Sequence, residues 1–291
     1  MQNYNKKIYI IGSTGFVGKE LEYYLSLQDG YDIKGLSSKE CNLLCINSIN
    51  NALKEIDENT ILVVTSSITR LVGNNFDTFC KNIKMIYNLS VFLKNQEFRQ
   101  LIFLSTLDIY GNQNKVIVDD LSPKPHDYYS LSKLVSEDIL LNLLSNTKLT
   151  IFRLQGVFGD YKCKSTLNNI INGAFNSKNI NIVNGGHSYR EFIYINNLLL
   201  IIKYAIDNQI DGIYNISCNK SMQIIEYVNL ICDNIDFHVD LTFLESKTNR
   251  DYNVVVDSEK FHEKFHKIHF ISTEKAIHDI IVSTVINQER L

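Results

Sequence analysis

A short apolar run over residues 7–11 breaks into Gly12-Ser13-Thr14-Gly15-Phe16-Val17-Gly18 and then into a helical pattern, and nothing else in the 291 residues restricts the fold as much. Beyond the turn, Val17, Leu21, Tyr24 and Leu25 fall on one side of the helix, with Lys19, Glu20 and Glu22 on the other. Strand, glycine turn and helix in that order open a βαβ unit whose helix N-terminus accepts a phosphate. Gly12 permits the tight turn, Gly15 lets a pyrophosphate approach the backbone, and Gly18 lets the helix lie close on the sheet. The expected dinucleotide contacts here are Gly12, Thr14, Gly15, Phe16, Val17 and Gly18.

The same alternation continues. Residues 31–36, 61–64 and a run beginning at Leu101 read as strands, and 49–56, 76–94 and 129–144 as helices. Mostly apolar strands alternating with helices imply an α/β fold, a Rossmann-type doubly wound parallel sheet, with a smaller C-terminal substrate-binding lobe. The chain is expected to leave the sheet after Arg153, form a helix over 166–175, return near 191–195 and 213–216, and finish in a lobe with helices over 221–234 and 272–287. The expected division is therefore 1–153 with 188–217 for the dinucleotide domain, and 154–187 with 218–291 for the substrate lobe. No internal repeat or low-complexity linker interrupts this pattern.

Where residues 31–36 end, the adenosine ribose is expected, and NAD-selective sites usually carry an acidic residue there for the 2′-hydroxyl. The chain has Ser37, Ser38 and Lys39 instead. Two hydroxyls and an ammonium suit a 2′-phosphate, which points to NADP, with NAD still possible if these residues form an ordinary polar loop. A net charge of -3 without a basic run argues against nucleic acid as a partner. The absence of an apolar stretch of membrane length argues against a membrane partner, and an N-terminus that enters a strand directly, with no signal peptide pattern, gives a cytoplasmic expectation. Six cysteines without a Cys-x-x-Cys pair read as reduced, mostly buried thiols, and no metal site is expected.

Chemistry concentrates between Leu101 and Lys133. An apolar strand ends in Ser105 and Thr106, and a helix carries Tyr129 and Lys133 four residues apart on one face. An ammonium beside a phenol favours the phenolate and brings its pKa towards working pH, so the pair suits proton transfer, with Thr106 orienting a substrate oxygen. Alone, the Tyr-x-x-x-Lys spacing also fits an exposed polar face.

Taken together, Gly12-x-x-Gly15-x-x-Gly18, the strand end Thr65-Ser66-Ser67, Asn82, Ser105-Thr106-Leu107-Asp108-Ile109-Tyr110-Gly111 and Tyr129-x-x-x-Lys133 resemble the extended short-chain dehydrogenase/reductases, the NAD-dependent epimerase/dehydratase group acting on nucleotide sugars. The resemblance continues through Arg153 to Gly159, Arg190 to Ile195 and Gly212 to Ile216. It implies Tyr129 as acid/base, Lys133 as the ligand of the nicotinamide ribose that also lowers the phenol's pKa, and Thr106 as a hydrogen-bonding partner of the reacting oxygen. It further implies cofactor contacts at Asn42, Leu43, Thr65, Ser66, Ser67 and Asn82, and diphosphate contacts at Arg190 and Arg250, a task suited to a planar guanidinium. A nucleotide-diphosphate sugar is then the substrate. The family's 4,6-dehydratases carry a glutamate, often beside an aspartate, where this chain has Leu107 and Asp108. Asp108 either supplies a second acid near the sugar or caps the turn after the strand.

The leading functional expectation is an NADP(H)-dependent reductase of a nucleotide-linked 4-keto-6-deoxy sugar. A nucleotide-sugar 4-epimerase with tightly held NAD is the first alternative, and a non-catalytic dinucleotide-sensing scaffold the second. The helices over 76–94 and 129–144 carry more apolar residues than one sheet contact needs, which predicts a homodimer through them.

Overall fold

The computed structural model of the protein describes residues 5–113, 115–160, 165–217, 220–245 and 253–288. In chain order the first elements are β1 (Lys6–Ile11), α1 (Phe16–Ser26), β2 (Tyr31–Leu36), α2 (Ile46–Ala52), β3 (Thr60–Val64), α3 (Phe76–Leu93), β4 (Gln100–Thr106), α4 (Tyr128–Leu143) and β5 (Leu149–Leu154). There follow β6 (Gly156–Phe158), α5 (Thr166–Ser177), β7 (Asn179–Val183), β8 (Tyr189–Arg190), β9 (Phe192–Tyr194), α6 (Ile195–Asn208) and β10 (Gly212–Asn215). The chain ends with β11 (Met222–Gln223), α7 (Ile224–Cys232), β12 (Asp240–Leu244), α8 (Glu259–Phe265) and α9 (Thr273–Gln288).

Six strands form one sheet in the order β10-β5-β4-β3-β1-β2. The β1–β2, β1–β3 and β3–β4 pairs are parallel, and β3 and β4 are buried along their whole length, as expected for strands covered on both faces. The chain crosses one way from β1 to β2 and the other way to β3, so a topological switch point lies between the carboxyl ends of β1 and β3. One face is covered by a core of Tyr9, Leu62, Leu89, Leu101, Phe103, Leu140 and their neighbours. Capping boxes fix the starts of the two helices that matter for the site: Asn75 with Thr78 for α3, and Asp127 with Ser130 for α4.

Two compact units emerge: Met1–Gly111, Ser122–Arg153 and Leu199–Tyr214 in one, and Asn112–Leu121, Leu154–Leu198 and Asn215–Leu291 in the other. The second unit has its own core, in which Phe158, Leu167, Phe175, Ile182, Tyr227 and Ile277 meet. It also holds three two-stranded pairings, β6–β9, β7–β12 and β8–β11.

Several local expectations need correction. The segment at 191–195 does not rejoin the main sheet, because β9 pairs with β6 in a separate two-stranded sheet. Helix α2 starts at Ile46 and stops at Ala52, where Leu53 turns out of helical geometry, rather than spanning 49–56. Helix α6 is a further element: Leu198, Leu199, Ile201, Ile202 and Ile206 are buried, and Asn196, Lys203 and Asp207 form a polar stripe that the near-continuous apolar run obscures in the sequence. Of the four described cysteines only Cys41 is buried, its thiol pushed up to about 11 by burial, whereas Cys45 and Cys80 are exposed. Cys163 and Cys218 lie outside the described residues. Among the described residues no helix is long and apolar enough to cross a membrane.

Candidate active site

The crevice at the switch point is built from backbone. Gly12 has φ +99°, and a Cβ there would lie 2.7 Å from both Ser66 Oγ and Thr65 Oγ1. A Cβ on Gly18 would come within 2.2 Å of Gly12 O, so α1 lies against the turn more closely than any side chain allows. The Thr65 hydroxyl donates to the carbonyls of Ile11 and Gly12, both at 3.1 Å, and thereby staples the end of β3 to the turn after β1. Gly15 is the N-cap of α1 and supplies no side-chain cap; Thr14 and Gly15 are exposed, Phe16 and Val17 half-buried. The first N–H groups of α1 therefore face outward without a side-chain acceptor, the condition under which a helix start receives a phosphate.

Beside this turn the Ser67 hydroxyl is shielded from solvent and interacts with the Tyr129 phenol. Ser66, Ser67, Asn82, Phe103 and Lys133 line one small recess there. Asn82 is buried in α3 and holds the strand end in place: its Oδ1 accepts from Ile68 N at 2.8 Å and its Nδ2 donates to Ile68 O at 3.0 Å. A glycine cradle that a Cβ would fill, at the open start of a helix, is a feature that a bound dinucleotide completes, so the residues present fit such a group.

At the end of β2, Ser37 donates through its N–H to Glu40 Oε2 at 2.9 Å and also through its hydroxyl to the same oxygen. Lys39 N donates to Ser37 Oγ at 3.1 Å. Further on, Asn42 Oδ1 accepts from Leu44 N at 3.0 Å, a local turn, while Leu43 is buried and its carbonyl accepts from Asn88 Nδ2 at 2.9 Å.

The phenol of Tyr129 lies in an acidic and basic frame that the sequence did not announce. Arg70, in the loop after β3, donates from Nη1 to Asp108 Oδ2 at 2.5 Å and from Nε to Asp127 Oδ2 at 2.6 Å, while its guanidinium carbon sits 4.9 Å from the centroid of the Tyr129 ring. Thr106 Oγ1 donates to Asp108 Oδ2 at 3.1 Å and accepts from Asp108 N at 3.2 Å. Asn74 accepts from Tyr129 N at 3.0 Å and donates to Asp127 at 3.3 Å, so one loop is tied to the start of α4 at two points. Burial opposes the Arg70 charge, but Asp108 and Asp127 outweigh it and raise its pKa further. Burial likewise opposes ionisation of Asp127, and Arg70 with the Ser130 N–H and hydroxyl reverse this and hold it at about 2.

The expected lowering of the phenol's pKa by Lys133 is not what the structure holds. Burial and the Asp108 charge push Tyr129 up to about 12 against the opposing effects of Arg70 and Ser67. Lys133 is itself buried; its Nζ donates to Leu104 O at 2.6 Å and lies 4.6 Å from the Phe103 ring centroid. Burial lowers it to about 8, with Glu137 pulling the other way. Ser105 is directed not to the sheet rim but to Glu137, which also takes Arg153 Nη2 at 2.7 Å, and Arg153 Nη1 donates to Tyr110 OH at 2.6 Å. This buried ion pair with its full set of partners braces α4 against β4 and β5.

In the second unit Arg190 donates from Nη1 to Tyr189 O at 2.8 Å and forms part of the wall of a cavity of about 570 Å³ between α5 and β7. Asn169, Asn181 and Ser188 are also in that wall. Arg250 lies outside the described residues.

A parallel sheet with its crevice at the β1–β3 switch point, a glycine turn that admits no side chain, and a helix carrying Tyr129 and Lys133 together define an extended short-chain dehydrogenase/reductase. Residues 8–217 match the NAD dependent epimerase/dehydratase family, and the chain belongs to it. A relative, GDP-6-deoxy-D-talose 4-dehydrogenase of Aggregatibacter actinomycetemcomitans, is 28% identical over 233 residues, covering 78% of this chain and 79% of its own. UDP-glucuronic acid 4-epimerase from Bacillus cereus, solved in complex with NAD, superposes with a TM-score of 0.79 at 20% identity, over 96% of this chain and 99% of that one. RMD from Pseudomonas aeruginosa, complexed with NADPH, superposes with a TM-score of 0.83 at 17% identity, over 99% and 100%. At these identities the two structures speak for the fold.

Proposed function

We propose that this protein is an NADP(H)-dependent reductase that acts on the 4-keto group of a nucleotide-linked 6-deoxy sugar. The observation that carries this reading is the frame around Tyr129, in which Arg70 and Thr106 both engage Asp108 beside the phenol. Burial and the Asp108 charge favour the protonated phenol, the form that delivers a proton to an oxygen being reduced. Asp108, bridged between Arg70 and Thr106, is engaged as an acceptor on both sides, which argues against the free second acid that a dehydration requires. The A. actinomycetemcomitans relative, by its name a 4-dehydrogenase of a GDP-6-deoxy sugar, is in keeping with redox chemistry at that carbon.

In this reading the glycine turn, the open N-terminus of α1, and Ser66 and Ser67 hold the dinucleotide, with Asn82 fixing the strand end behind it. Thr65 acts through the turn it staples. When bound, the nicotinamide supplies hydride. Tyr129 gives its proton to the oxygen of the reacting carbon, Thr106 orients that oxygen, Arg70 offsets the charge of the phenolate that remains, and Lys133 holds the nicotinamide ribose. Ser37, Ser38 and Lys39 take the ribose 2′-phosphate. The cavity beside Arg190 takes the nucleotide diphosphate, with Arg250 as a second cation for it, which makes the second unit the substrate lobe and the first the dinucleotide domain. The chain works as a homodimer through α3 and α4.

The test is a panel of GDP-, CDP-, UDP- and dTDP-linked 4-keto-6-deoxy sugars with NADPH and NADH, followed by loss of nicotinamide absorbance. Oxidation of NADPH with one member, abolished in Tyr129→Phe, is the expected result. No oxidation with any member, from protein that carries bound nicotinamide on purification, rejects the reductase in favour of an epimerase.

A further inference from the structure

The turn that follows β2 is an anion receptacle already filled by the chain itself. Two donors of Ser37, its N–H at 2.9 Å and its hydroxyl, converge on a single carboxylate oxygen of Glu40. The Glu40 N–H and the charge of Lys39 act on the same carboxylate. Lys39 N in turn donates to Ser37 Oγ at 3.1 Å, which orients the hydroxyl's proton towards Glu40. The Ser37 hydroxyl, then its N–H, holds the Glu40 carboxyl below the usual glutamate range although the side chain is open to water. The turn sits next to the crevice, since Gly12 N and Ser13 N both donate to Leu36 O, at 2.8 and 3.3 Å. The Glu40 side chain is exposed, so it can leave without disturbing the core.

We propose that Glu40 sets the balance between NADPH and NADH as an internal competitor that occupies the donors a ribose 2′-phosphate would use. The proposal rests on the reading that the adenosine ribose lies at residues 37–39. A 2′-phosphate has to displace the Glu40 carboxylate from Ser37 and then meet its negative charge nearby. A 2′-hydroxyl asks for neither, since the carboxylate can accept from it in place. The three residues between Leu36 and Glu40 hid this in the sequence: the acidic residue is absent from the strand end and comes back to it through the turn.

The test is equilibrium binding of NADPH and of NADH, measured by nicotinamide fluorescence, to the full chain and to Glu40→Gln, Glu40→Ala, Ser37→Ala and Lys39→Ala. Glu40→Gln and Glu40→Ala are expected to tighten NADPH about fivefold, the effect of removing one solvated like charge at close range, and to weaken NADH or leave it unchanged, since its 2′-hydroxyl loses an acceptor. Unchanged NADPH affinity in both Glu40 variants, or NADH moved in step with NADPH, overturns the proposal. If Ser37→Ala and Lys39→Ala weaken NADPH in that case, the location of the ribose survives. If they too have no effect, or the wild-type chain binds neither dinucleotide, the location falls with the proposal.

Discussion

Arg70 lies against the face of the Tyr129 ring, guanidinium carbon to ring centroid 4.9 Å, while its nitrogens hold the carboxylates of Asp108 and Asp127. The carboxylates of Asp108 and Asp127 come from segments 38 and 57 residues away in sequence. One cation thus sets the orientation of the phenol, the acceptor role of Asp108 and the start of α4. Its removal leaves two carboxylates beside the phenol with no counter-charge. Arg70→Met is therefore expected to lower kcat by at least about tenfold with a smaller change in KM, and to cost about 2 kcal/mol of stability through lost charge-assisted hydrogen bonds. Asp108→Asn in the same chain should restore part of the turnover but none of the Asp127 contact. Steady-state kinetics and urea unfolding of the single and double variants check both parts, and a double variant no faster than Arg70→Met would rule out the charge argument.

Acid stability carries a second signature of the same frame. Asp127 titrates at 3.8 when unconstrained and at about 2 in the folded chain, so its folded value is depressed. Its contribution is complete above pH 4 and disappears as pH falls towards 2. With its side chain 13% exposed, the shift corresponds to about 2 kcal/mol. Urea midpoints between pH 5 and about 2 should fall less steeply in Asp127→Asn than in the wild type, and parallel curves would show that the carboxylate is not held as described.

Lys133 is expected to divide stability from function. Its folded value of about 8 is below the 10.5 of a free lysine, so folding favours the neutral amine. That contribution is present above about pH 10 and lost as pH falls through 8, which leaves an ammonium buried at neutral pH. Lys133→Met should then be at least as stable as the wild type at pH 7 while losing nearly all turnover. A large drop in its urea midpoint at that pH would mean that the hydrogen bond to Leu104 O outweighs the burial of the charge.

The parts of the site that a reader of the sequence finds are those set by local rules. The glycine turn is legible because Gly12 and Gly18 answer to backbone geometry within seven residues, and β3 and β4 because their apolar runs are continuous. Arg70 is not legible: it sits in a loop without a pattern, and its partners become neighbours only when β3, β4 and α4 are side by side. The Asp127-x-x-Ser130 cap follows a local rule and marks the start of α4 in the sequence itself. Lys133 is the instructive case, since helical spacing puts it on the face of Tyr129 but does not say where a long flexible side chain ends. In the fold it ends on Leu104 O, over the Phe103 ring. Spacing fixes the origin of a side chain, and only packing fixes its tip.

Packing at α3 and α4 also bears on assembly. The two helices lie side by side, with Ile86, Leu89, Leu93, Leu140 and Leu144 directed into the core. That leaves Phe76 at 64%, Tyr87 at 53% and Val91 at 39% exposed on α3, and Tyr128, Leu131 and Leu141 at 37–44% exposed on α4. A helix that served only the sheet would have polar residues at these places. A second copy meeting this face would cover both helices in a symmetric contact in which each exposed aromatic finds the same surface on its mate. The wild-type chain should therefore sediment as a dimer at micromolar concentration, and Tyr87→Glu with Leu141→Glu should sediment as a folded monomer with an unaltered far-ultraviolet circular dichroism spectrum. A wild-type chain that sediments as a monomer at that concentration excludes this face as a dimer contact.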